Sequence, residues 1–262
     1  MNRGVFITFE GPEASGKSTH IRLLAERLRE RGMTVTLTRE PGGTPLCEAI
    51  RRLLQHDGSG EAPVPQAEVL LFLASRAQHV ARVIEPALAR GEWVLCDRFS
   101  DSTLAYQGYG RGFDLAQLRA IDAFATRERT PDLTVLLDVT PETSRQRLRT
   151  RQVENAAAPD RIEREADAFH ARLRAGFLEL AATEPERFVV LTTEREPDEV
   201  AAEILAAIDR RFFKGGVGTL PCGMGVPPMK HGQDARATPA SEGFCKSFKQ
   251  EKGKSCHVCH SH

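Results

Sequence analysis

The sequence has no apolar run approaching the roughly 18–20 residues that a bilayer-spanning helix needs. It also lacks net charge: 36 Lys and Arg balance 36 Asp and Glu over 262 residues. A general binder of nucleic acid or of anionic membranes would carry a basic excess, so neither class is supported. The N-terminal stretch Met1–Glu10 has too few consecutive apolar residues, and no small-residue cleavage site, for a signal peptide. The expectation is a soluble, cytoplasmic protein. Six cysteines in a chain of this length do not make a disulfide framework. No internal repeat and no Asn-Lys-x-Asp motif occur, and the second absence argues against a GTPase.

The balance conceals a seam near residue 213. Residues 214–262 carry seven Lys or Arg against three Asp or Glu, eight of the 21 glycines and four of the six cysteines. They show no helical or strand periodicity, and such a composition buries too little apolar surface to offset its ordering entropy. A disordered extension is expected there, with the folded domain confined to residues 1–213. The extension contains Cys256-His-Val-Cys-His, which fits a c-type haem attachment run, a zinc ligand set or a chance occurrence.

Within residues 1–213, short apolar runs alternate with helical patterns. Val5–Phe9, Val35–Thr38, Trp93–Cys96, Leu133–Leu137 and Phe188–Leu191 are short and rich in β-branched or aromatic residues, and most of them are near-continuously apolar, as strands buried on both faces of a parallel sheet are. Helices are predicted over Thr19–Arg31, Ala67–Arg90, Asp114–Thr126, Pro141–Arg151, Asp160–Thr183 and Pro197–Arg211. The alternation predicts an α/β fold with a five-stranded parallel sheet flanked by helices.

The first strand runs into Gly11-Pro-Glu-Ala-Ser-Gly-Lys-Ser18, a match to G-x-x-x-x-G-K-[ST] at every fixed position. Backbone N–H groups at a helix N-terminus face a multiply charged anion, Lys17 reaches the β- and γ-phosphates, and Ser18 can ligate Mg²⁺. Asp97, at the end of the run beginning at Trp93, falls at the same sheet edge and can hold Mg²⁺ too. These features alone fit an ATPase, a kinase, a motor or a nucleotide-binding switch. Arginines favour phosphoryl transfer, because a kinase acting on a phosphorylated acceptor must hold two anions close together. Arg51, Arg76 and Arg98 are candidates for that clamp. Phe72, one helical turn before Arg76, suits a nucleobase. The alternating Arg145, Arg147, Arg149 and Arg151 lead into a small-residue loop and read as a lid over about residues 145–160.

With these residues in place, the sequence resembles the bacterial thymidylate kinases, P-loop enzymes that phosphorylate dTMP with ATP. The resemblance runs in order through Phe9–Thr19, Thr38-Arg-Glu-Pro-Gly-Gly-Thr, Ala67-Glu-Val-Leu-Leu-Phe-Leu-Ala-Ser-Arg-Ala-Gln and Cys96-Asp-Arg-Phe. It continues in Ser102-Thr-Leu-Ala-Tyr-Gln-Gly, Pro131-Asp-Leu-Thr-Val-Leu-Leu-Asp-Val and Asp160-Arg-Ile-Glu, and covers about residues 4–211. It implies a P-loop NTPase-type fold, ATP and Mg²⁺ as cofactors, dTMP as acceptor and a homodimer. Gly11, Pro12, Glu13, Ala14, Ser15, Gly16, Lys17, Ser18 and Thr19 would surround the ATP phosphates. Glu13 would accept from the dTMP 3′-hydroxyl, and Phe72 would stack on thymine. Arg76, Thr103 and Gln107 would join the acceptor site, with the first two at the polar edge of thymine. Arg51 and Arg98 would clamp the acceptor phosphate, and Tyr106 would crowd the sugar 2′ position. The P-loop contains no arginine, so the resemblance assigns the catalytic cations to lid residues matching Arg147, Arg149 and Arg151. It also implies a cis Glu40–Pro41 bond. The lid stretch Gln152–Pro159 is longer and more apolar than is usual in that family, and the extension after 213 has no counterpart there.

Overall fold

The computed structural model describes residues 3–55, 60–155 and 165–213. The expected extension at 214–262, its cysteines, the far part of the lid and the Asp160-Arg-Ile-Glu segment lie outside the described residues.

All five expected strands form, as β1 (Val5–Glu10), β2 (Val35–Arg39), β3 (Trp93–Asp97), β4 (Leu133–Asp138) and β5 (Phe188–Thr192). They pair in parallel in the order β2-β3-β1-β4-β5. β1, β3 and β4 are buried almost throughout, which is why their sequences are continuously apolar rather than alternating. The alternation is present in packing instead. Ile7, Phe9, Val135 and Leu137 pack with Ile21, Leu24, Leu28, Val200, Ile204 and Ile208 on one face. Leu136 packs with Leu173, Phe177 and Leu180 on the other.

The helices are α1 (Lys17–Glu30), α2 (Pro45–Gln55), α3 (Pro65–His79), α4 (Glu85–Ala89), α5 (Ser100–Thr103), α6 (Leu115–Thr126), α7 (Pro141–Asn155), α8 (Asp167–Thr183) and α9 (Pro197–Phe212). The sequence predicts one helix over Ala67–Arg90. The structure divides it, with a π-helical turn at Val80–Ile84 between α3 and α4. Pro86 follows at once; it has no N–H to give to the helical ladder, and a wider turn beside it absorbs the mismatch. A second π-helical stretch, Leu104–Gly110, continues α5. Two helical segments were not predicted. One is α2, although Cys47, Ile50 and Leu54 bury one face at helical spacing. The other is Ser100–Gly110, which is buried almost all round and so has no amphipathic signal.

The parallel order puts the carboxyl ends of β1 and β3 side by side, with Phe9 opposite Asp97. Here the chain leaves β1 for the phosphate loop and β3 for Arg98. A crevice at the carboxyl edge of such a sheet is where ligands of open α/β folds bind. No helix among the described residues is long and apolar enough to cross a membrane.

Candidate active site

The loop between β1 and α1 is shaped by two glycines. Gly11 has φ +134°, and a Cβ there would lie 2.3 Å from the Leu137 carbonyl oxygen. Gly16 has φ +90° and occupies the N-cap of α1. Lys17 folds back over the loop, donating to the carbonyl oxygens of Gly11 (3.0 Å) and Pro12 (2.7 Å) and to Ser15 Oγ (3.3 Å). Burial, and then the neighbouring Arg98, push the Lys17 ammonium down to about 8.

Ser18 Oγ donates to Asp97 Oδ2 at 3.3 Å. The other oxygen, Asp97 Oδ1, is buried and has no partner among the described residues. A hydroxyl beside a half-satisfied carboxylate is an all-oxygen donor set, which suits a hard divalent cation. The residues expected to hold Mg²⁺ therefore fit it.

Arg98 sits at φ +70°, in the left-handed region, directly after β3. Its backbone N–H donates to the Phe9 carbonyl oxygen, tying the turn to β1 at 3.0 Å. Its guanidinium donates to Gly11 O and Ser102 Oγ, each at 3.1 Å, and to Glu13 Oε1 at 3.1 Å. It also lies over the Tyr106 ring, 5.0 Å from the centroid. Burial alone would weaken its hold on the proton, but Tyr106, Glu13 and Asp97 reverse that and keep the guanidinium charged. Tyr106 donates its hydroxyl to the same Glu13 oxygen. Burial raises Glu13, yet Arg98, Lys17 and Tyr106 outweigh it and hold the carboxyl below its ordinary range. Glu13 Oε2 remains buried without a partner among the described residues. The ionised acid thus presents one unsatisfied acceptor.

Glu10 ends β1, and nothing in the sequence assigns it a role. It is fully buried, accepting from the Phe99 N–H (2.7 Å) and Ser102 Oγ (2.6 Å). Ser102 therefore links Glu10 to Arg98. Burial, then the nearby Asp101, raise the Glu10 carboxyl to about 8.

Lys17, Ser18, Asp97, Arg98, Ser102, Glu13 and Tyr106 line one cleft of about 640 Å³, with Glu10 behind its wall. Of the residues read from the sequence, Glu13 to Thr19, Arg51, Phe72, Arg76, Asp97, Arg98, Thr103, Tyr106, Gln107, Arg147 and Arg151 are all on its wall. Gly11 and Pro12 belong to the loop behind it, contributing carbonyls to Lys17. Arg149 is exposed and does not line the cleft. Arg147 is committed to the protein, bonding Thr193 O (2.6 Å), Thr193 Oγ1 (3.1 Å) and Ala14 O (3.4 Å). Arg51 bonds Pro41 O at 3.0 Å, next to the Glu40–Pro41 bond, which is cis as expected.

Arg76 occupies a different setting from an open base-reading arginine. It is 2% exposed and donates to Glu40 (2.7 Å), Asp122 (2.7 Å), Thr103 Oγ1 (2.9 Å) and Phe99 O (3.0 Å). Burial opposes its charge, but Glu40 and Asp122 more than restore it. His79, also buried, bonds the second Glu40 oxygen at 2.9 Å and Thr38 Oγ1 at 2.6 Å. Glu40, His79 and Asp122 escaped the sequence reading. The only local sign was Glu40 inside Thr38-Arg-Glu-Pro-Gly-Gly-Thr.

Residues 9–204 match the family model described as Thymidylate kinase. The chain is 52% identical over 211 residues to the thymidylate kinase of Deinococcus radiodurans, covering 80% of this chain and 99% of that one. It is 50% identical over 210 residues to that of Trichlorobacter lovleyi, covering 79% and 98%. Among solved structures, the crystal structure of thymidylate kinase from Ehrlichia chaffeensis is similar, with a TM-score of 0.62 and 35% identity. It matches over 79% of this chain and 99% of that chain.

Proposed function

The chain belongs to the thymidylate kinase family and transfers the γ-phosphoryl group of ATP to dTMP to give dTDP, and we propose how its cleft divides that work. The phosphate loop and Lys17 hold the donor, and Arg98 and Arg51 hold the acceptor phosphate. The reading rests on one observation: Lys17, Arg98 and the half-satisfied acids Glu13 and Asp97 converge on a single cleft. Glu13 Oε2 accepts from the dTMP 3′-hydroxyl, and Tyr106, held on the other Glu13 oxygen, crowds the 2′ position. Phe72 stacks on thymine, with Thr103 and Gln107 beside it. Arg76 braces this wall and supports the base at its edge.

The acceptor is a phosphate monoester with a second pKa of about 6, largely ionised at neutral pH, so no general base is required. What remains is alignment of two anions and neutralisation of the charge between them. Ser18 and Asp97 would hold Mg²⁺, which when bound offsets charge on the donor phosphates. The Arg98 guanidinium, fixed by Gly11, Ser102 and Glu13, meets its ligand without reorganising.

Arg151 is the lid cation in this reading. It shares a helix face with Arg147, four residues earlier, whereas Arg149 points elsewhere. Arg151→Ala is expected to lower kcat about 100-fold, and Arg149→Ala to stay within about threefold of the parent. Steady-state kinetics on both variants decides it; equal losses would remove the distinction.

The same reading makes the protein a cytoplasmic homodimer. The dimer is supported by large apolar side chains left exposed on α3 and α6: Leu70, Ile121 and Phe124, the last 89% exposed.

A further inference from the structure

Glu68, in the first turn of α3, is fully buried, and the division of labour above gives it no task. Its carboxylate accepts from Gln107 Nε2 at 3.0 Å and from Arg111 Nε at 3.0 Å. Arg111 Nη1 also pairs with Glu165 at 3.0 Å, so the cation is shared between two acids. Gln107 is 2% exposed and lies on the wall of the cleft with Phe72.

A carboxylate only accepts hydrogen bonds, whereas a primary amide has one donating end and one accepting end. Glu68 therefore fixes which way the Gln107 amide is turned. The reversed amide would set its carbonyl oxygen against a buried carboxylate oxygen, two acceptors in contact with no proton between them. With the nitrogen committed to Glu68, the oxygen is the amide's end for the cleft.

We propose that Glu68 is a positioning residue for base selection: it holds Gln107 as a hydrogen-bond acceptor, which matches a pyrimidine whose N3 carries a proton. Thymine has that N3–H. In cytosine N3 is itself an acceptor, so two lone pairs would face each other in a desolvated site. Selection then comes as much from repelling the wrong base as from binding the right one. Arg111 supplies the counter-charge that lets an acid stay in this buried position.

This inference rests on the reading that Gln107 faces the base. The test compares dTMP with 5-methyl-dCMP, which keeps the methyl group and changes only the N3–C4 edge. Calorimetry gives Kd for both nucleotides on the parent, Glu68→Gln and Gln107→Leu. The amide introduced by Glu68→Gln could present either end to Gln107 and release the fixed orientation. The expected result is a fall of about tenfold in the Kd ratio favouring dTMP in Glu68→Gln, and at least as large a fall in Gln107→Leu. Both ligands are measured on one preparation, so any loss of folded protein cancels in the ratio. A merely structural Glu68 would weaken both nucleotides equally. An unchanged ratio in Glu68→Gln, with a changed one in Gln107→Leu, overturns the role of Glu68 alone. An unchanged ratio in Gln107→Leu overturns the placement of Gln107 and the proposal with it.

Discussion

Arg98→Ala is expected to lower kcat by about 10²–10³-fold, the cost typical of removing one fixed donor from a developing charge. Three features argue for a loss at the top of that range. The guanidinium is already held by Gly11, Ser102 and Glu13, so it loses little freedom when it meets the acceptor phosphate. It is the foremost counter-charge of Glu13, so its removal also leaves that buried acid easier to protonate. Tyr106 stacks against it and would lose one side of its packing. The hydrophobic clusters on both sheet faces do not include Arg98, so the variant should remain folded. Steady-state kinetics with both substrates varied, beside a thermal melt, measures this. A folded variant with kcat within about threefold of the parent would refute the assignment.

Arg76→Ala is expected to fail in a different way. Removing one partner from a buried ion pair costs about 3–5 kcal/mol, because the remaining charge has nowhere to go. Arg76 serves two acids at once. Glu40 and Asp122 bond to it from segments 36 and 46 residues distant, and four of its five N–H groups are committed to described residues. Its loss would leave Glu40 with His79 alone and Asp122 without its buried cation. Urea unfolding should therefore show a markedly lower midpoint. A variant with parental stability and a raised KM for dTMP would instead make Arg76 chiefly a reader of the base.

Both predictions depend on groups that the sequence reveals unequally. Strands β1, β3 and β4 were legible because burial on both sheet faces demands near-continuous apolar runs, whereas the edge strands β2 and β5 showed as short β-branched runs bounded by polar residues or turns. The phosphate loop was legible because its spacing is local: eight consecutive residues carry the glycines, the lysine and the hydroxyl. Asp97 was legible for a similar reason, since the end of a buried strand marks the sheet edge. The brace under the acceptor site was not. Arg76 on α3, Asp122 on α6 and Glu40 after β2 meet only in the folded chain, and nothing within one segment announces the encounter. Glu10 was hidden because a glutamate ending an apolar strand reads as solvent-facing, whereas here it takes the Phe99 N–H and Ser102 in the interior. The separation of Arg149 from Arg151 could have been read from helical spacing, because residues two apart fall on different faces. Helix α2 was missed although Cys47, Ile50 and Leu54 mark its buried face; exposed Leu46 and Leu53 blur that pattern.

The most direct test of the central claim is a crystal structure of the protein with a ligand joining adenosine and thymidine through a chain of phosphates. The account predicts adenosine-side phosphates on the N–H groups of residues 11–18. It predicts the thymidine-side phosphate within hydrogen-bond distance of the Arg98 guanidinium, and thymine against the Phe72 ring. A ligand bound with its thymine away from Phe72, or with that phosphate out of reach of Arg98, would contradict it.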